Sequence, residues 1–272
     1  MSDTPGIFDR PALLRHRRRA RKDDLFLQQM AVEEVQDRLS MVNRAFTAPA
    51  VVTGFADRWS AAMPDARLVP DAETLDLQAE SHDLVIHAMS LHWANDPVGQ
   101  IIQCRRALQP DGLFLALFLG GQTLHQLRTV LSQAESRMTG GLSPRVAPMA
   151  EIRECGALLQ RAGLALPVAD NVISVAQYRD LGHLMHDLRG MGETNALSGR
   201  LRRPTRRTVF QAADTLYAEL FGTEAGLLPA SFELICLTGW APDESQPKPL
   251  RPGSAQARLA DALRTTEGKL SD

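Results

Sequence analysis

Residues 81–121, SHDLVIHAMSLHWANDPVGQIIQCRRALQPDGLFLALFLGG, constrain the fold more than any other stretch. Asp83 opens the apolar run Leu84-Val85-Ile86-His87-Ala88-Met89, which reads as a strand buried on both faces of a parallel sheet. The polar and aromatic loop Ser90-Leu91-His92-Trp93-Ala94-Asn95-Asp96-Pro97 follows. Residues 98–108 predict a helix with Ile101, Ile102, Ala107 and Leu108 as its apolar positions. Pro110-Asp111-Gly112 reads as a turn, and residues 113–119 as a second buried strand. Parallel neighbours need a crossover of about a dozen residues, and the helix supplies it. The loop after the first strand then falls at the carboxyl end of the sheet, where open α/β sheets hold their ligands.

The remainder alternates in the same way. Hydrophobic spacing predicts a helix over 25–45, a strand over 48–54, a helix over 55–63 closed by Pro64, and a short strand over 66–70. Residues 73–77 fit a further strand or a loop. Helices are expected at 122–138 and at 151–162, the latter capped by Gly163. Residues 164–178 read as strand with a turn at Ala169-Asp170-Asn171. Further helices are expected at 181–188 and 209–221, and a last strong strand at 231–240. From Pro242 the chain is rich in Pro, Gly, Ser and charge. The predicted organisation is an N-terminal helical arm (1–45), one α/β domain (46–242) with insertions at 139–150 and 180–225, and a flexible tail (243–272).

Two basic groups stand out: Arg15, His16, Arg17, Arg18, Arg19, Arg21 and Lys22, and later Arg200, Arg202, Arg203, Arg206 and Arg207. Each reads more readily as a solvated face than as an anion-binding arm. The formal net charge is -2 and no aromatic platform accompanies either group, so nucleic acid is not expected as a partner. No apolar run approaches the ~20 residues of a membrane span. Cys104, Cys155 and Cys236 are scattered, which argues against a disulfide framework or zinc site and fits a reducing cytoplasm. An apolar signal core is missing, and Asp3 and Asp9 interrupt any presequence pattern. His183 and His186 have helical spacing for a metal but no evident third ligand, so none is expected.

Seven phrases occur in order: SLHWANDP, LQPDGLFL, GGQTLHQLR, GGLSPRVAP, LLQRAGL, LMHDLRGMGETNA and PASFELICLTGW. Over residues 7–242 the chain resembles the mitochondrial complex I assembly factors with a methyltransferase fold. It resembles more loosely the malonyl-carrier-protein methyltransferases of biotin synthesis. The resemblance implies a class I S-adenosylmethionine (SAM) methyltransferase fold. That is a Rossmann-like, mostly parallel α/β sheet with an antiparallel last strand and helices on both faces. It implies a transferase-type enzyme acting on a protein substrate, by methyl transfer or by arginine hydroxylation, with SAM as cofactor and a respiratory-complex subunit as partner.

The family's cofactor loop, Asp-x-Gly-x-Gly-x-Gly, aligns with Val52, Thr53, Gly54, Phe55, Ala56, Asp57 and Arg58, keeping one glycine of three. Glycines serve there because the backbone must approach the ligand closely. Only 28 residues separate Gly54 from Asp83, so one helix or strand of the usual set is expected to be absent. Asp71 and Glu73 are the candidates for the acid that holds ribose. The expected cofactor contacts are Gly54, Ala56, Ser90, Leu91 and Trp93, and the expected catalytic residues are His92, as a proton acceptor, and Arg145, as a carboxylate clamp. The rewritten loop supports an alternative: a non-catalytic assembly or partner-binding protein that no longer binds SAM. Gly190 and Gly192 read as a helix terminator, with Glu193 and Asn195 capping the next segment.

Overall fold

The computed structural model describes residues 6–247 and Thr265. Most of the expected tail therefore lies outside the described residues. One compact unit ends at Pro242. Its sheet has six strands in the order β2-β1-β3-β4-β6-β5. They are β1 (Pro49–Thr53), β2 (Arg67–Pro70), β3 (His82–Ala88), β4 (Leu108–Gly120), β5 (Ala165–Tyr178) and β6 (Leu228–Trp240). The first four run parallel; β6 is antiparallel to both β4 and β5. The helices are α1 (Arg10–Arg17), α2 (Phe26–Met41), α3 (Ala56–Ala62), α4 (Pro97–Ala107), α5 (His125–Thr139), α6 (Ile152–Arg161), α7 (Leu181–Gly190) and α8 (Arg207–Phe221).

The apolar runs of the central strands feed two cores because side chains alternate across a strand. Leu84, Ile86, Leu113, Leu115 and Leu117 join α2, α5, α7 and α8 on one face. Val85, Phe114, Ala116 and Phe118 join α4 and α6 on the other. Trp59 of α3 is fully buried in the first core, and its indole N–H donates to Gln28 Oε1 at 3.1 Å. His87 is a satisfied core histidine, with Nε2 2.6 Å from Gln100 Oε1. The three cysteines are free and buried, and burial pushes each thiol up.

Between β1 and β3 the chain makes only α3 and β2; residues 71–81 contain no helix or strand. The usual set is shortened there, as the spacing predicted. Two local expectations are corrected. The turn at 110–112 is instead a left-handed kink at Asp111 (φ 58°) within β4, where the β3–β4 register shifts. The turn at 169–171 is absent, and β5 runs through it paired to β6. Asp170 and Asn171 are turn-formers in isolation, but here Arg38 donates to Asp170 and Asn171 Nδ2 donates to Glu233 Oε1 at 2.6 Å. Among the described residues no helix is long and apolar enough to cross a membrane.

Candidate functional site

The carboxyl ends of β1 and β2 carry an ion cluster. Asp9 caps α1 by accepting from the Ala12 N–H at 3.0 Å, an interaction worth about 1 kcal/mol. This aims Arg17, near the helix end, inward. Its side chain is 4 % exposed, and Nη1 donates to Asp71 Oδ2 at 2.7 Å. Arg10, about two turns earlier, donates to both oxygens of Asp71 at 3.0 and 2.6 Å. Burial would raise the Asp71 carboxyl, but the two guanidiniums hold it below its ordinary value. The guanidinium of Arg17 lies over the Phe55 ring at 5.7 Å. A Cβ on residue 54 would collide with it. The surviving glycine of the loop thus makes room for Arg17. Nε and Nη2 of Arg17 have no hydrogen-bond partner. A solvated basic face was expected here; instead the middle of the cluster is buried, because one carboxylate 54 residues away collects it.

The carboxyl ends of β3 and β4 are built differently. Ser90-Leu91-His92-Trp93 leaves β3 as a single 3-10 turn over Leu91–Trp93. Asn95 exchanges hydrogen bonds with the Phe8 backbone, and Phe8 meets Trp93 edge-on at 5.2 Å. Asp96 caps α4 through the Gly99 N–H. Much of this loop therefore fixes the N-terminal segment and α4. His92 and Trp93 turn the other way, into a pocket of about 200 Å³ walled by apolar residues including Leu119, Leu127, Met149, Met185 and Phe210.

Glu193 completes that pocket. The chain leaves α7 through Gly192, whose φ of +78° suits a residue without Cβ. The Glu193 N–H closes the turn on Leu188 O, and its carboxylate reaches back to the 90s loop. Trp93 Nε1 donates to Glu193 Oε2 at 2.9 Å, and His92 Nε2 lies 3.3 Å from the same oxygen. The Leu119 N–H donates to His92 Nδ1 at 3.4 Å. Nδ1 is therefore the acceptor and Nε2 carries the proton toward Glu193. Burial would raise the Glu193 carboxyl; the hydrogen bond from His92, with the charge of Arg17 and the Trp93 hydrogen bond adding, brings it below its ordinary value. Both bonds are made to Oε2, none among the described residues is made to Oε1, and Glu193 lines the pocket.

Arg145 stands at the rim with its guanidinium engaged. Nε and Nη2 donate to the two oxygens of Glu135 at 3.0 and 2.6 Å, and Nη1 donates to Thr205 Oγ1 at 2.8 Å. The pair holds the 140–148 loop over the pocket, and Arg145, with Ser143, lowers the Glu135 carboxyl to about 2. Of the expected site residues, the structure brings His92, Trp93 and Arg145 to one pocket. Gly54 and Ala56 line a separate cleft with Arg17. The Ser90 hydroxyl faces His87, and Leu91 packs in the core beside α4. Glu193 escaped the sequence reading, which assigned it to capping.

The Gly54 cleft does not fit SAM as it is arranged. Both oxygens of Asp71 are taken by arginines, Arg17 fills the space the glycine leaves, and three cations (Arg17, Lys22 and Arg58) against the one carboxylate of Asp57 line what remains. SAM carries a net positive charge, so the cleft opposes it. No chemistry at the His92 pocket is therefore assigned to SAM.

The zebrafish (Danio rerio) protein named "Arginine-hydroxylase NDUFAF5, mitochondrial" is 34% identical over 221 residues, covering 81% of this chain and 68% of that protein. The chain belongs to the NDUFAF5 family. The Dictyostelium discoideum protein of the same name is 40% identical over 191 residues, which are 70% of this chain but only 44% of that protein. A malonyl-[acyl-carrier protein] O-methyltransferase of Xylella fastidiosa (strain M23) is 34% identical over 179 residues, 66% of this chain and 58% of that protein. The profile described as "Methyltransferase domain" matches residues 23–116. Among solved structures, the YcgJ protein from Bacillus subtilis superposes with TM-score 0.50 at 14% identity, covering 79% of this chain and 99% of that one, a likeness of fold alone. Membership of the NDUFAF5 family thus carries a class I methyltransferase fold in which the loop facing β3 has been rewritten.

Proposed function

We propose that the protein acts on an arginine side chain of a protein substrate, with Glu193 receiving the guanidinium. The observation that carries this reading is the Glu193 carboxylate: buried, fixed through Oε2 by Trp93 and His92, and lining a largely apolar pocket with Oε1 unengaged by its own chain. An arginine has a long apolar stem and a planar cationic fork, and suits apolar walls ending at a carboxylate. The name "Arginine-hydroxylase" borne by the relatives agrees with it. His92 here is a positioning residue, because both ring nitrogens are engaged. Arg145 positions the loop over the pocket. A respiratory-complex subunit as the substrate is what the resemblance read from the sequence implies.

Titration with N-acetyl-arginine methylamide, followed by ligand-observed NMR, tests the pocket. Glu193→Gln removes the charge while keeping the shape, and loses a charged hydrogen bond of about 1.5–3 kcal/mol, or about tenfold or more in affinity. Equal binding by the variant and the parent sinks the reading.

A second reading, partner binding without SAM, is favoured by one observation: Arg17 sits where the cofactor loop should be open. Calorimetry with SAM decides it. Heat with a saturable isotherm would show that α1 withdraws Arg17 and that SAM supplies its methyl group or its binding energy to the enzyme. Its absence favours the second reading.

A further inference from the structure

The two basic groups of the sequence converge. His16, Arg19 and Arg21 follow one another at the end of α1; His186 and Arg189 lie on α7; Arg200 lies beyond it. With Arg145 these residues line one cleft of about 500 Å³, and no acidic side chain lines it. The cleft adjoins the Glu193 pocket: Arg145, Arg189, Thr194 and Asn195 line both.

The charge is only partly offset. Arg21 pairs with Asp24, Arg200 with Asp9, and Arg145 with Glu135. Arg19 and Arg189 are exposed and take no part in these three pairs. His16 Nδ1 donates to Thr194 O, and burial lowers its pKa. His186 Nε2 accepts from Arg21.

We infer that this cleft binds an acidic segment of the protein substrate, flanking the residue that enters the Glu193 pocket. Arginine forks match carboxylates bidentately, which an extended acidic peptide offers in series. A nucleic acid is the poorer fit, because the cleft has no Phe, Tyr or Trp on which a base could stack. The pairing also resolves an electrostatic conflict. A lone guanidinium approaching past Arg189 is repelled, whereas one flanked by carboxylates is not. The recognised motif is then an arginine with acidic neighbours. That last step rests on the Glu193 reading; the acidic docking does not.

Fluorescein-labelled hexaglutamate, which carries no arginine, probes the cleft by anisotropy at low salt. A second peptide with one central arginine probes both sites. The parent should bind both, with affinity falling as salt rises. Arg19→Glu with Arg189→Glu should lose about tenfold or more for both peptides, and Arg19→Gln with Arg189→Gln somewhat less. Both residues are exposed, so the fold should survive, as a thermal melt will show. Glu193→Gln should abolish only the gain from the central arginine; if that gain is missing while hexaglutamate still binds, the Glu193 reading fails and the acidic cleft stands. Unchanged hexaglutamate binding by the double variants overturns the inference. Tighter binding of a single-stranded oligonucleotide than of hexaglutamate also overturns it.

Discussion

The two halves of the sheet's carboxyl end solve opposite problems. At β1 and β2, two arginines converge on Asp71, and Gly54 leaves just enough space for one of them. At β3 and β4, Glu193 lines a pocket, anchored through one oxygen, with the other unengaged by its own chain. Both halves bury a carboxylate, and the number of fixed donors decides what it does. A carboxylate with both oxygens held by arginines of its own chain is a brace. One with an oxygen its own chain leaves unengaged is open to a ligand's donor. The methyltransferase fold ordinarily spreads its ligand across both halves; here the difference separates a braced half from the half proposed to receive the substrate.

Removing Asp71 is the largest test of that division. Asp71→Ala leaves Arg17 buried beside Arg10 with no counter-charge, and breaking a buried pair from one side costs about 3–5 kcal/mol. Chemical denaturation should show that loss with an unchanged slope. Glu193→Gln should cost far less stability and remove ligand binding. If Asp71→Ala melts like the parent, the β1–β2 half is not a brace.

How much of this was legible follows from distance along the chain. The strands were readable because Leu84–Ala88 and Leu113–Leu119 are continuous apolar runs, and the pairing His92-Trp93 sits in one short loop. Glu193 was not, because its partners lie 100 residues away and the left-handed turn at Gly192 aims it. Arg17 was hidden among six basic neighbours; its burial depends on Asp71 and Gly54, neither of which reveals the contact locally. Arg145 was expected to clamp a carboxylate; the one it holds is Glu135, ten residues earlier on α5, which no local pattern singles out. The 169–171 turn failed for the same reason: side chains from α2 and β6 supplied partners that a local reading cannot see.

Gly54→Ala sharpens the comparison more gently. The added methyl meets the Arg17 guanidinium, and overpacking of this kind costs about 1–3 kcal/mol. The residue precedes α3 without a positive φ, so the cost is steric rather than conformational. Arg17→Ala in the same background relieves the clash while giving up the ion pair. A double-mutant cycle on melting free energies should therefore show coupling between 54 and 17 of the sign that relieves the clash. Additive effects would mean that Arg17 does not occupy the glycine's space.

The smallest effect concerns the loop that roofs the binding half. Glu135 is held near a pKa of about 2 against an ordinary 4.5, first by Arg145 and then by Ser143. A carboxyl lowered in the folded state adds stability above its unfolded value, and that stability is lost as pH falls through the folded one. The window is thus about pH 4.5 down to about 2. The bare shift is worth about 3 kcal/mol at ~1.4 kcal/mol per unit, and solvent at the loop reduces it to about 1–2. Hydrogen exchange of residues 140–148 should accelerate across that window while β3 and β4 stay protected. In Arg145→Met the step should shrink, because the largest cause of the lowered pKa is gone and only the Ser143 hydrogen bonds remain. An equal acid step in that variant would assign the loop's hold to something other than the Glu135 pair, and the roof of the pocket would not depend on it.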